Sequence, residues 1–109
     1  MKPIYFDFDK YDLRPGDREI LTQNALLLKE NPTVKIRIEG NCDERGTVEY
    51  NLALGERRAS AARDYLINLG IDSDRVSIIS YGKERPMYSG HNEDSWSKNR
   101  RDDFIIVSQ

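Results

Sequence analysis

Two charged side chains of opposite sign, Asp43 and Arg58, form the pair in this sequence best suited to recognising a ligand. Asp43 lies in a polar loop after a predicted strand, and Arg58 lies about one turn beyond Leu54 on a predicted helix. Both can face one cleft, where they would suit a ligand with an ammonium and a carboxylate, because guanidinium binds carboxylate bidentately. The spacing leaves open the alternative that the two side chains pair with each other or with solvent.

Catalytic and metal chemistry has weaker support from the residue types. A nucleophilic pair would have to join Cys42 to His91, the only histidine, and no third orienting group is evident beside either residue. One cysteine and one histidine also fall short of the three or four ligands of a zinc site. Asp43 and Glu44 could be the carboxylates of a glycoside hydrolase, but adjacent side chains usually diverge, which favours a solvated acidic turn. We expect no catalytic residue, metal or cofactor.

The composition limits the partners that long-range charge could attract. The 109 residues include 17 Lys and Arg against 19 Asp and Glu, a net charge of -2, which provides no pull toward nucleic acid or anionic lipid. The arginine doublets at 57–58 and 100–101 adjoin acidic residues, so we expect ion pairing or surface display there. No apolar run approaches the ~20 residues needed to cross a bilayer. The prediction is a single domain, residues 1–109, that binds charged ligands locally.

Hydrophobic periodicity predicts the elements that would position Asp43 and Arg58. Strands are predicted where apolar and polar residues alternate or β-branched residues cluster, at residues 4–8, 34–39, 76–81 and 104–107. Helical spacing predicts helices at about 16–30 and 48–69, the second capped by Thr47 and ended by Gly70. Its predicted inward stripe is Leu52, Ala59, Ala62, Leu66 and Leu69. Residues 83–97 are predicted to form a loop with a short helix near 93–96.

The order of these elements, βαβαβ(α)β, predicts an α/β (α+β) fold. It would be a two-layer sandwich, with a mixed four-stranded sheet and helices on one face. The strand–helix–strand unit from residue 34 to residue 81 is expected to be right-handed and parallel. The last strand is apolar on both faces, so we expect it to be central or covered on both sides.

Five motifs resemble those of the OmpA-like peptidoglycan-binding domain, most closely those of its outer-membrane lipoprotein members. In chain order they are YFDFDKYD at 5–12, EGNCDERGT at 39–47, EYNLALGERRA at 49–59, SYGKERP at 80–86 and SKNRR at 97–101. The resemblance covers essentially the whole chain. It departs from the common pattern at Asn41 and Cys42, and at residues 102–103, where relatives tend to be apolar.

The resemblance implies a binding module of the cell envelope with no enzymatic activity. Asp43 would receive the free ammonium, and Arg58 the free carboxylate, at the side-chain end of meso-diaminopimelate in an uncrosslinked peptidoglycan stem peptide. The other residues expected to line the site are Phe8, Asp9, Asn41 and Leu54.

The resemblance also implies a location and a protein partner. The domain would lie at the periplasmic face of the outer membrane, held there by an N-terminal lipid anchor and tether that are not part of these 109 residues. The implied partner is TolB, the β-propeller protein of the Tol system, which would use a surface overlapping the wall site. Two alternatives stay open: a cell-wall hydrolase acting through Asp43 or Glu44, and a domain that binds TolB but not the wall.

Overall fold

The computed structural model describes all 109 residues, and its elements follow the predicted order. The strands are β1 (Ile4–Tyr5), β2 (Lys35–Asn41), β3 (Val76–Gly82) and β4 (Arg101–Ser108). The helices are α1 (Pro15–Glu30), α2 (Val48–Asn68) and α3 (Glu93–Asn99), with one 3-10 turn at Ser73–Arg75. The predicted α+β fold with a mixed four-stranded sheet is confirmed. No helix combines the length and the apolar character needed to span a bilayer.

The four strands form one sheet in the order β1-β4-β2-β3. β2 and β3 are parallel, with Ile36 opposite Val76, as predicted for a strand–helix–strand unit. β4 is antiparallel to both of its neighbours, with Phe104 opposite Ile38 on β2 and Asp102 opposite Ile4 on β1. The prediction of a central position for the last strand is therefore confirmed.

A single hydrophobic core lies between the sheet and the two long helices. Its members are Ile4, Phe6, Leu21, Ala25, Leu28, Ile36, Ile38, Ala59, Ala62, Leu66, Ile71, Val76 and Phe104. Because the helices cover only one face of the sheet, Ile105 and Val107 stay exposed on the other face despite the central position of β4. Ile106 lies on the helix-facing side with Phe104, but it is also 48% exposed, near the end of the strand. The alternative of a last strand covered on both sides is therefore wrong.

Local signals correctly predicted the ends of α2, but not its inward face. The Thr47 hydroxyl accepts a hydrogen bond from the backbone N–H of Tyr50 at 3.1 Å, and Gly70 has a φ of 101°, a left-handed conformation that favours glycine. The prediction that Leu52 faces inward is wrong, since it is 36% exposed while Leu54 is buried. The buried stripe of α2 also contains the polar Asn51 and Arg58.

The strand predicted at residues 4–8 is shorter in the structure. β1 ends at Tyr5, although the N–H of Phe6 still donates to the carbonyl of Arg100 at 3.0 Å. Phe8 leaves the sheet and is 52% exposed. It is followed by Asp9 with a φ of 58°, which turns the chain away from β4.

Helix α2 lies unusually close to the end of β2, and this contact places the candidate site. A Cβ added to Gly40 would lie 1.9 Å from the carbonyl oxygen of Gly55, so only glycine fits. Gly55 is likewise enclosed, by the side chain of Ser80 and the backbone of Gly40. The loop that follows β2 is thereby held beside the middle of α2, where Arg58 lies one turn beyond Leu54.

Candidate ligand-binding site

A cavity of about 220 Å³ opens where the loops after β1 and β2 meet the first half of α2. Asp43 and Arg58 both line it. The other predicted site residues that line it are Phe8, Asp9 and Leu54. Five further lining residues were not predicted as site residues: Cys42, Arg45, Gly46, Tyr50 and Asn51.

Arg58 is fully buried, and its guanidinium has no carboxylate partner in the chain. Nε donates to the carbonyl of Lys10 at 2.8 Å, Nη1 to that of Asn41 at 3.0 Å, and Nη2 to that of Asp7 at 3.1 Å. Burial lowers the pKa of Arg58. A guanidinium has five N–H donors, so two remain besides these three hydrogen bonds, and Arg58 lines the cavity together with the Cys42 thiol. Arg58 is thus a buried positive charge without a matching negative charge.

Asp43 is also buried, but it is paired with two arginines. Its Oδ2 lies 2.9 Å from Nη2 of Arg45 and 3.4 Å from Nη1 of Arg100, and its Oδ1 accepts the backbone N–H of Arg45 at 2.9 Å. Burial would raise the pKa of Asp43, but hydrogen bonds from Arg45 and Arg100 outweigh it and hold the pKa below the ordinary value. The carboxylate is therefore ionised at neutral pH. Asp43 and Arg58 do not form an ion pair with each other.

Arg45 forms the rim of the cavity through contacts that sequence analysis missed. Its Cζ lies 3.8 Å from the centroid of the Phe8 ring and 4.0 Å from that of the Trp96 ring, so the guanidinium is stacked between two aromatic residues. This stacking holds the exposed Phe8 at the cavity mouth. The sequence gives one indication that Arg45 and Trp96 belong to the site, because Trp96 is the single tryptophan and Arg45 lies in the same motif as Asp43.

The opposite wall of the cavity joins the β1 loop to α2. The Tyr50 hydroxyl donates a hydrogen bond to Asp9, which raises the pKa of Tyr50. Asp9 itself is exposed, so its carboxylate faces solvent at the cavity. Leu54 is only 6% exposed and supplies an apolar surface. This wall therefore combines one carboxylate with apolar surface.

The Asn41 side chain does not line the cavity, contrary to the prediction. It is buried, and its Nδ2 donates to the carbonyl of Glu39 at 3.0 Å. Asn41 contributes to the site through its backbone, because its carbonyl accepts one of the three hydrogen bonds from Arg58. The amide is directed toward the sheet, where Nδ2 also lies 3.4 Å from the carbonyl oxygen of Arg101 on β4.

The two alternatives that would make this site catalytic find little support in its geometry. Burial raises the pKa of Cys42 to about 11, and the thiol donates to the carbonyl of Asn51 at 3.3 Å, so it is neutral at physiological pH. Glu44 accepts hydrogen bonds from Trp96 and His91, which lower its pKa. A general acid needs a raised pKa, and neither Asp43 nor Glu44 has one.

The sequence and the fold were compared with those of known proteins. A profile of the OmpA family matches residues 5–100. The chain is 49% identical over 98 residues to a peptidoglycan-associated lipoprotein of Haemophilus influenzae and 47% identical to one of Pseudomonas aeruginosa, each match covering 90% of this chain. These matches cover 64% and 58% of the two relatives, so the chain spans less than two thirds of their length.

The solved structures agree with these matches. The crystal structure of the peptidoglycan-associated lipoprotein from Burkholderia pseudomallei superposes with a TM-score of 0.94 at 46% identity, covering 97% of this chain and 90% of that one. The C-terminal domain of Helicobacter pylori MotB has a TM-score of 0.91, covering 100% and 86% of the two chains. Its identity is 19%, so that likeness shows a shared fold alone. None of these relatives is named as an enzyme.

Proposed function

We propose that this chain, which belongs to the OmpA family, binds peptidoglycan without cleaving it and connects the outer membrane to the cell wall. The names of its relatives at 47–49% identity support this proposal. The observation that carries it is the buried guanidinium of Arg58, which lines a cavity and has no carboxylate partner in the chain. Burying an unpaired charge is costly, so an arrangement of this kind is best explained by an anion that binds from outside.

We infer that the ligand is the side-chain end of meso-diaminopimelate in an uncrosslinked stem peptide. This group carries one carboxylate and one ammonium. The charged residues lining the cavity are equally balanced, with Asp9 and Asp43 against Arg45 and Arg58. A balanced set of this kind complements a zwitterion better than a group with a net charge.

Each part of the ligand has a proposed contact. The carboxylate would bind the two remaining donors of Arg58. The ammonium would bind Asp43, whose charge is partly neutralised by Arg45 and Arg100, with Asp9 adding a second negative charge on the exposed side. Phe8 and Leu54 would contact the aliphatic carbons between the two charged ends. The role of Asn41 is limited to holding Arg58 in place through its carbonyl.

Purified sacculi provide the test of wall binding, and the assay also tests the hydrolase alternative. We expect the wild-type chain to sediment with sacculi, and the bound fraction to fall as salt is added, because charge pairs at an open cavity are screened. We expect no soluble muropeptides to be released during the incubation. Failure to sediment would contradict the proposed function. Release of muropeptides that stops in the Glu44→Gln variant would establish the hydrolase instead.

The location and the protein partner belong to the same proposal. We place the domain at the periplasmic face of the outer membrane, which fits the names of its lipoprotein relatives. TolB is the proposed protein partner, on the resemblance to the lipoprotein group. The exposed aromatic residues at the cavity mouth, Phe8 and Tyr50, are both 52% exposed and would suit a protein contact there. TolB and the wall would then compete for one surface.

A further inference from the structure

Asp102 is a carboxyl group for which the fold provides no partner. Its exposure is 0%, and neither carboxyl oxygen has a hydrogen-bond donor. Asp102 takes part in no ion pair, whereas the neighbouring Asp103 pairs with Arg101 at 3.1 Å. Burying a carboxylate without donors is far more costly than burying a neutral acid. The surroundings therefore favour the protonated form of Asp102.

The sheet register places Asp102 near the end of β2 that borders the ligand site, and Asp102 is close enough to Arg58 for their charges to interact. Asp102 lies opposite Gly40 and Ile4, and it shares the helix-facing side of β4 with the core residue Phe104. Helix α2 touches Gly40 at Gly55, one turn before Arg58.

The contacts of Arg58 also place its guanidinium near Gly40, which is opposite Asp102. The guanidinium of Arg58 lies 5.1 Å above the Phe6 ring and donates to the carbonyl of Asn41, the neighbour of Gly40. Asp102 does not line the cavity. Arg58 thus lines the cavity and also interacts electrostatically with a buried carboxyl group outside it.

We propose that Asp102 is a positioning residue that decides whether the charge of Arg58 is available to a ligand. This inference rests on the proposed function, because it concerns the same site. While Asp102 is protonated, Arg58 has no carboxylate paired with it inside the protein, and its charge attracts the carboxylate of the ligand. When Asp102 loses its proton, it becomes a second anion beside Arg58, so the ligand carboxylate has to compete with it. The affinity for the ligand therefore falls as Asp102 ionises.

The charges around Asp102 fix the direction of this effect. Burial raises the pKa of Asp102 well above its ordinary value, and the positive charge of Arg58 only partly opposes this. The other titratable groups close enough to act on it are Asp103 on β4, Asp17 on α1 and the Cys42 thiol after β2. Both carboxylates favour the neutral form of Asp102, and the thiol is itself neutral. Ionisation of Asp102 is thus moved from the acidic range toward higher pH.

Calorimetric titration of the whole chain with the tripeptide L-Ala-γ-D-Glu-meso-diaminopimelate, from about pH 5 to about pH 8.5, tests the inference. We expect the wild-type affinity to fall as pH rises, by up to about tenfold per unit once Asp102 ionises, because one proton is linked to binding. The Asp102→Asn variant mimics the neutral acid, so it should match the wild type at low pH and bind more tightly at high pH. Titration of the ligand itself affects both proteins equally.

A matched control and a second measurement separate this role from a structural one. The Asp103→Asn variant, altered next to Asp102, should keep the pH-dependent loss of affinity, but the loss should begin at lower pH because the Asp103 charge favours the neutral form of Asp102. Because the pKa of folded Asp102 is raised, its contribution to stability is complete below the unfolded pKa and is lost as pH rises. The Tm of Asp102→Asn should therefore exceed that of the wild type at neutral pH, with the difference vanishing near pH 4.

Failure of the inference about Asp102 and failure of the proposed function give different results in this experiment. Identical pH profiles of affinity in the wild type and Asp102→Asn would overturn the inference and leave the proposed function intact. Absence of binding by the wild type at every pH would overturn both.

Discussion

Replacing Arg58 with alanine is expected to abolish binding of the stem peptide and to lower the free energy of unfolding by about 3 kcal/mol or more. The guanidinium is the sole donor proposed for the ligand carboxylate. It also donates to three backbone carbonyls, those of Asp7, Lys10 and Asn41, which would lose these donors in the variant. Arg58 therefore connects the β1 loop, the end of β2 and α2. Urea denaturation measures the stability, and calorimetry with the tripeptide measures the binding.

The neighbouring Arg57 provides the control for this variant. Arg57 is exposed on the same helix and does not line the cavity. The Arg57→Ala variant should keep the wild-type affinity, and its free energy of unfolding should change by no more than about 0.5 kcal/mol. An Arg58→Ala variant as stable as Arg57→Ala would contradict the role given to the three hydrogen bonds. One that still binds the tripeptide would contradict the role given to the guanidinium.

Replacing Asp43 with asparagine is expected to weaken binding of the same tripeptide by about 30-fold or more, corresponding to about 2 kcal/mol. The substitution keeps the shape of the side chain but removes its charge. The charged residues lining the cavity would then be Asp9 against Arg45 and Arg58, a net positive set that repels the ammonium of the ligand. Calorimetry at neutral pH and low salt gives the affinity.

The control here is Glu44→Gln, the next residue along the chain. Glu44 contacts Trp96 and His91 and does not line the cavity, so its loss of charge should change the affinity little. Equal weakening by both variants would show a general effect of charge rather than a contact with Asp43. The lowered pKa of Asp43 adds a pH dependence: its stabilising effect is present above the unfolded pKa and is lost as pH falls through the folded value.

The elements of the fold were predictable where their signals are local. Alternation along β2 from Lys35 to Ile38, the Thr47 cap and the left-handed Gly70 depend on neighbouring residues, and all three agree with the structure. Alternation fails at Glu39, which is buried although the pattern predicts it on the solvent face. The inward face of α2 was not predictable from hydrophobicity. Its buried stripe includes Asn51 and Arg58, which line the cavity on that side, so the apolar Leu52 is a misleading marker. At Phe8, stacking on Arg45 replaces the strand that alternation indicates.

The convergence of Asp43 and Arg58 on one cavity followed from the order of the elements, because a loop after a strand lies beside the next helix. The ion pair between Asp43 and Arg100 did not follow, since it joins residues 57 positions apart and has no local signal. The same holds for the stacking of Trp96 on Arg45. Asp102 was recognised from the sequence as unusual, but its burial beside Arg58 depends on the register between β4 and β2.

Two stem tripeptides that differ only in the third residue, meso-diaminopimelate or L-lysine, test whether Arg58 binds a carboxylate of the ligand. Lysine keeps the side-chain ammonium but lacks the terminal carboxylate, so it leaves Arg58 without an anion. We expect the diaminopimelate peptide to bind in calorimetry and the lysine peptide to bind about 30-fold more weakly or not at all. Equal affinity for the two peptides, or no binding of either, would contradict this expectation.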